Sequence, residues 1–209
     1  VKRPPRLLGP LAAASALAAA LLGGCASPSS LVVRGQATPG GPPVELVGDF
    51  DTAWYRTDDP NQATFVLLDG PPERPRQAAV IELFWRPRSG LTPVEPAATN
   101  MTVTHLVFAQ RSAELGPGVD AGDRGELGVY AGAGFLFPRK PLGGRTLVAG
   151  VWDASLRLET RSEGFVDLLG LARMTGTFTA TRDEGRVDEL LRELSLETRD
   201  RLGFPRPLR

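Results

Sequence analysis

The chain has 209 residues but only one cysteine, Cys25, and one histidine, His105. A lone cysteine excludes an internal disulfide framework and any multi-cysteine metal site. A zinc centre wants three or four His, Cys or carboxylate ligands, so no metal is expected. An excess of one charge is also missing, because 24 basic residues balance 24 acidic ones with His105 neutral. Nucleic-acid binders carry a basic excess, so no nucleic-acid partner is expected. The apolar run Leu11–Leu22 would cover roughly 18 Å as a helix, short of the ~30 Å hydrocarbon core, so it is not expected to span a membrane permanently. Apolar residues still make up 42%, enough for a core and too many for a disordered chain. The length fits one compact domain of ordinary size plus a short appendage.

What is present begins at the N-terminus. Lys2, Arg3 and Arg6 precede Leu11–Leu22, where only Ser15 is polar. A basic start and about a dozen apolar residues form the pattern of a secretory signal peptide. Leu22-Gly23-Gly24-Cys25 follows directly. This stretch resembles the lipobox of bacterial lipoproteins: a leucine stands three before the cysteine, and small residues between them let a peptidase approach the backbone. The resemblance covers residues 1–25 and implies nothing about the fold of the remainder. It implies that the Cys25 sulfur receives a diacylglycerol and that cleavage makes Cys25 the new N-terminus, usually acylated in turn. Each buried methylene contributes ~0.8 kcal/mol, and two or more chains anchor stably where one is marginal. The resemblance therefore makes the membrane a partner, reached through acyl chains on Cys25. Ala26 stands where an inner-membrane retention signal commonly places aspartate, which favours a lipid-anchored location at the outer membrane, facing the periplasm. Removing residues 1–24 takes away three basic residues and no acidic ones, leaving 21 against 24 and a formal charge of −3. Anionic headgroups would not attract such a domain as a whole, so anchoring must come from the acyl chains.

The expected organisation is a signal peptide over residues 1–24, a lipidated N-terminus and flexible tether over 25–44, and one β domain over 45–209. Residues 26–43 hold four prolines with several Ser and Gly, and a coil of that length reaches roughly 23 Å. The alternative is that Leu31–Val33 pairs as an edge strand. Strands are expected over residues 63–68, 78–85, 101–109, 126–137, 146–161 and 171–181, separated by turn signals such as Asp69-Gly70-Pro71-Pro72. In the longest, Val148, Gly150, Trp152, Ala154, Leu156 and Leu158 alternate with a mostly charged face, the mark of an antiparallel sheet wet on one side. Sixteen residues at ~3.3 Å each exceed 50 Å, so this strand should bend or break near Gly150. The last strand sets Ala172, Met174, Gly176, Phe178 and Ala180 against four threonines. Asp183 can cap a C-terminal helix over about 183–203, with Val187, Leu190, Leu191 and Leu194 on one stripe and Gly203 and Pro205 as stops. Asp188–Arg192 and Glu197–Arg201 are its i,i+4 pairs. The fold class is mainly β: a curved antiparallel sheet, sandwich or partly open barrel, with one helix packed on it.

No residue pattern points to catalysis. His105 lies in a strand, where a surface or hydrogen-bonded structural role is expected, and no Gly-x-Ser-x-Gly elbow occurs. Asp120, Asp123 and Glu126 lack the ligand spacing of an EF-hand and read as a solvated loop. Asp58-Asp59-Pro60-Asn61 reads as a turn with Asx chemistry. Gly132 and Gly134 lack the lysine and following helix of a phosphate loop; alternate glycines instead permit sharp curvature or a covering aromatic ring. Asn100-Met101-Thr102 matches a glycosylation acceptor that a bacterial lipoprotein gives no reason to use. The fourteen aromatic residues, among them Trp54, Tyr55, Trp85 and Trp152, are expected to fill the core or line a cavity. The expectation is thus a non-enzymatic envelope lipoprotein without cofactor, acting by contact with other envelope components, envelope proteins among them. The alternative is a carrier or sensor of a small apolar ligand held inside a curved sheet.

Overall fold

The computed structural model describes residues 29–85, 99–109 and 125–208. The signal peptide, the lipobox and Cys25 lie outside the described residues, as do Asp120 and Asp123. Nine strands and one helix follow in chain order: β1 Ser30–Gln36, β2 Val44–Asp49, β3 Thr52–Asp59, β4 Gln62–Asp69, β5 Gln77–Leu83, β6 Met101–Ala109, β7 Glu126–Pro138, β8 Thr146–Arg161, β9 Leu171–Arg182 and α1 Glu184–Leu202.

The strands form a single curved sheet in the order β2-β1-β9-β3-β4-β5-β6-β7-β8, and β8 pairs again with β9. That last pairing closes β3 to β9 into a ring, so the architecture is a barrel rather than a sandwich or an open sheet. β9 makes closure feasible by serving both edges. β8 runs along one edge from Ala172 to Thr181, while the other is shared between β1, over 171–177, and β3, at Thr181 and Arg182. The β3–β9 contact is parallel, so the sheet is mixed where a wholly antiparallel one was expected.

The tether expected up to residue 44 is shorter than its composition suggests. From Ser30 onward the chain is β1, paired with β9 on one side and β2 on the other. It is an interior strand, not the edge strand considered as the alternative. Leu31 and Val33 are buried in the barrel, each 1% exposed. Composition rich in Pro and Gly marks the turn between β1 and β2 here, not a free leash.

Inward side chains fill the ring. Tyr55 stacks on Phe65 at 5.5 Å, and Phe65 meets Phe178 edge-on at 5.4 Å. These three, with Leu67, Ile81 and Met174, have no accessible surface, so they border neither solvent nor a water-sized void. β8 shows how the barrel bends. It stays continuous, but its register slips between Val151 and Ala154, and Asp153 sits at φ 52°. The bulge falls at Trp152–Asp153 rather than at Gly150. It inverts the expected face: Leu147, Ala149 and Val151 point inward before it, Ala154 and Leu156 after it, and Trp152 is left 70% exposed. On β7, Gly132 and Gly134 take the curvature reading. A Cβ at Gly132 would overlap the Ser155 carbonyl, and one at Gly134 would press on the Ala154 backbone.

α1 covers one flank of the barrel. The Asp183 carboxylate accepts from the Arg186 amide at 2.9 Å, and Gly203 ends the helix in the left-handed region at φ 78°. Val187, Leu190, Leu191 and Leu194 pack on outward apolar residues of β4 to β7, including Val66, Leu106 and Val129. Arg201 bonds Glu197 at 2.7 Å as the spacing predicts. Asp188 instead pairs with Arg56 on β3, which ties the helix to the sheet.

Two substitutions test this account by denaturant unfolding. Leu190→Ala should lose about 2–5 kcal/mol, because the helix stripe is buried against a closed sheet that cannot collapse around the gap. Gly132→Ala should lose about 1–3 kcal/mol or more through collision with the β8 backbone. A loss below about 0.5 kcal/mol at either position, the range of an ordinary surface site, would contradict the packing described.

Candidate functional site

Two places on the molecule concentrate polar or exposed side chains that the core does not require. The first is a buried polar chain at one end of the barrel. β6 carries His105 between Ala79 of β5 and Tyr130 of β7, with no exposure. His105 Nε2 meets Gln77 Oε1 at 3.0 Å, while Gln77 Nε2 donates to Asp69 Oδ2 at 3.1 Å and to the Val47 carbonyl at 3.2 Å. Arg76 closes the chain on the other Asp69 oxygen. Because Gln77 offers its oxygen, Nε2 must be the donor. Nδ1 is then a bare acceptor, and it has no hydrogen-bond partner among the described residues. Burial pushes the His105 pKa down from 6.5 to about 4, so the ring is neutral near pH 7.

Nearby, the Tyr130 hydroxyl donates to Asp167 Oδ1 at 2.7 Å, and the same oxygen accepts from the amides of Leu169 and Gly170. Burial first, and the Asp167 contact second, raise the tyrosine pKa, which keeps the hydroxyl protonated. This pair fastens the segment before β9 to the barrel wall, where Phe165 covers Gly128. A neutral, sealed imidazole and a tyrosine that cannot ionise fit structural plugging better than chemistry on a substrate. His105 therefore has the hydrogen-bonded structural role.

Other residues singled out by sequence also turn out to be structural. Asn100 is fully buried and bridges Leu136 twice, donating to its carbonyl at 2.8 Å and accepting from its amide at 2.7 Å. Its amide is thus committed and unavailable to glycosylation. Asp59 Oδ1 accepts from the amides of Asn61 and Gln62, an Asx turn joining β3 to β4. Glu126 opens β7. Among the described residues, no group of three or more His, Cys, Asp or Glu is arranged to hold a metal ion, and no helix is long and apolar enough to cross a membrane.

The second place is on the outside of the barrel, opposite in character to the helix-covered flank. Four rings touch in sequence: Trp85 meets Phe135 at 6.5 Å, Phe135 stacks on Phe137 at 5.8 Å, and Phe137 meets Trp152 edge-on at 6.2 Å. Phe137 is 39% exposed and Trp152 70%. Two outward rows extend this patch across the sheet. In one, Phe137 pairs with Gly150, Gly150 with Thr177 and Thr177 with Ser30; in the other, Phe135 pairs with Trp152, Thr175 with Val32 and Val32 with Val47. None of these residues is charged, but the first row continues beyond Ser30 to the exposed Asp49 of β2. Charges begin sharply at the margins. One margin is Asp153, Arg173, Arg34 and Glu45, joined as two ion pairs. The other is the β7–β8 hairpin, where Arg139, Lys140 and Arg145 have no acidic partner among the described residues.

Reading the sequence for core aromatics missed this patch. Tyr55, Phe65, Tyr130 and Phe178 do fill the core, and Trp54 lies under the helix with the Arg186 guanidinium 5.4 Å from its ring. Alternation alone places Trp152 inward, and the bulge beside it turns it out. The available signal was Asp153, a residue tolerated at positive φ, interrupting an otherwise apolar stretch. No protein-family model matches the chain, and comparison with curated proteins and with solved structures finds no match.

The buried histidine makes a pH prediction. Between pH 6.5 and 4 the unfolded chain protonates His105 while the folded barrel does not, so stability should fall by about 3 kcal/mol as pH drops through that window. His105→Gln should flatten the fall by a similar amount. Denaturant midpoints of the two proteins across pH 4–7 read the difference, in which the carboxylates cancel. Parallel profiles would show that the imidazole is not held neutral.

Proposed function

We propose that this chain is a lipid-anchored protein of a bacterial cell envelope that works by contact through its outer surface. In this reading Cys25 bears the acyl chains, the anchored protein sits at the outer membrane facing the periplasm, and it is not an enzyme. The observation that carries the contact role is the uncharged aromatic face centred on Phe137 and Trp152. Exposed apolar patches on otherwise polar proteins mark interaction sites, and an aromatic that could have been turned inward costs solvation when it is not. The anchor reading is supported by the basic start, the apolar run and Leu22-Gly23-Gly24-Cys25.

The alternative, a carrier of an apolar ligand, needs an interior pocket of several hundred Å³. The inward aromatics and aliphatics described above have no surface left to offer such a ligand, so the contact reading is favoured. The test is labelling of cells with a fatty-acid analogue. Wild type should take up label and sediment with membranes, and Cys25→Ser should lose nearly all label. Equal labelling of both proteins would end the proposal.

A further inference from the structure

We infer that the bare aromatic face of β7, β8, β9 and β1 rests on the lipid surface itself, seating the barrel flat against the bilayer beside its anchor. The inference rests on the anchor reading above and names the occupant of the contact face. Its argument begins where the described chain starts. Ser29 is fixed: its carbonyl accepts from the Phe50 amide at 2.8 Å and its hydroxyl accepts from the Thr179 amide at 3.1 Å. Thr179 pairs with Val148, and the Val148 carbonyl accepts from the Arg139 amide at 2.9 Å. Ser29 therefore lies in the same transverse row as the start of the basic hairpin, and one row from Phe137. Three strand spacings of ~4.8 Å separate it from β7, or about 14 Å.

Four peptide units join Ser29 to Cys25, and even fully extended they reach at most about 14 Å. Acyl chains on Cys25 thus hold this corner of the barrel within about that distance of the headgroups. Two surfaces adjoin the corner. On the helix flank, α1 presents Asp188, Glu189, Arg192 and Glu193, residues that resist leaving water. On the other flank lie Phe137 and Trp152 among threonine and valine, with charge confined to the margins, where the corner itself carries the exposed Asp49 and Asp51 on either side of Phe50. Tryptophan and phenylalanine favour the interfacial zone of a bilayer, and cations at its edge meet lipid phosphates. Arg139, Lys140 and Arg145 stand at that edge without acidic partners among the described residues, although the mature chain as a whole is acidic.

The test uses the full acylated protein, reconstituted into phosphatidylcholine vesicles with and without bromine on the lipid acyl chains. Vesicle flotation reads the anchor, and bromine quenching of tryptophan emission reads the face. The expected result is that wild type floats and is quenched, and that the quenchable emission falls roughly twofold or more in Trp152→Phe, which floats equally well. Floating protein whose quenching is the same in both forms would overturn the inference while leaving the anchor intact. Protein that does not float would overturn both. A photo-cross-linker at position 152 that captures a polypeptide in cells, in place of phospholipid, would also overturn it by naming a protein as the occupant.

Discussion

β9 is paired along both edges, and the shape of the whole molecule depends on that double pairing. A sheet that meets itself leaves few open hydrogen-bonding groups, and among the described strands only β2 ends the order. Closing a ring of seven strands demands tight bending, and the bending is concentrated opposite β9. Gly176 on β9, at φ 146°, lies where a side chain would strike the Ser30 carbonyl. Its neighbour across the ladder is Val151, the last residue before the β8 bulge. The same bulge allows β8 to press onto Gly132 and Gly134. It also turns Trp152 out into solvent. The exposed face is thus a geometric consequence of closure, retained with an aromatic residue at the position closure exposes.

Closure also fixes what kind of site the protein can have. A small ring with aromatic residues inside has its interior committed to packing, as zero exposure of Tyr55, Phe65 and Phe178 indicates. The polar groups that remain inside, Asp69, Gln77 and His105, satisfy one another in a line and leave only one imidazole nitrogen unpartnered. That nitrogen costs about 1–3 kcal/mol of lost hydration, a penalty the surrounding core has to offset. The proposed contact role accordingly rests on the outer wall. There the helix takes one flank through Leu190 and its neighbours, and the other flank stays bare.

Much of the architecture was legible. Period-two alternation marked β8 and β9, apolar and β-branched runs between turn signals marked β4 to β7, and the stripe of Val187, Leu190, Leu191 and Leu194 with Asp183 and Gly203 at its ends marked α1, whereas β2 and β3 carried no such signal. What was illegible had physical causes. β1 has just two buried aliphatics, Leu31 and Val33, and short strands near Pro and Gly look the same as linkers until their partners are known. β9, which pairs with β1, lies about 140 residues away in sequence. The first half of β8 offered two similarly apolar registers, one through Val148 and Trp152 and one through Leu147 and Val151. Alternation alone cannot say where a strand changes from one to the other, and a bulge of one residue exchanges every side chain beyond it. The aromatic face was invisible for that reason.

The shortened leash changes how an anchor on Cys25 would act. Eighteen residues of coil would let the barrel stand off and turn freely, so each of its surfaces would meet the membrane seldom. Four peptide units leave little such freedom. Contact between barrel and bilayer then becomes effectively intramolecular, and short linkers correspond to effective concentrations in the millimolar range or so. A face too weak to recruit a free protein to lipid can still orient one already held there. In the proposed orientation the charged helix flank would be turned toward the aqueous side.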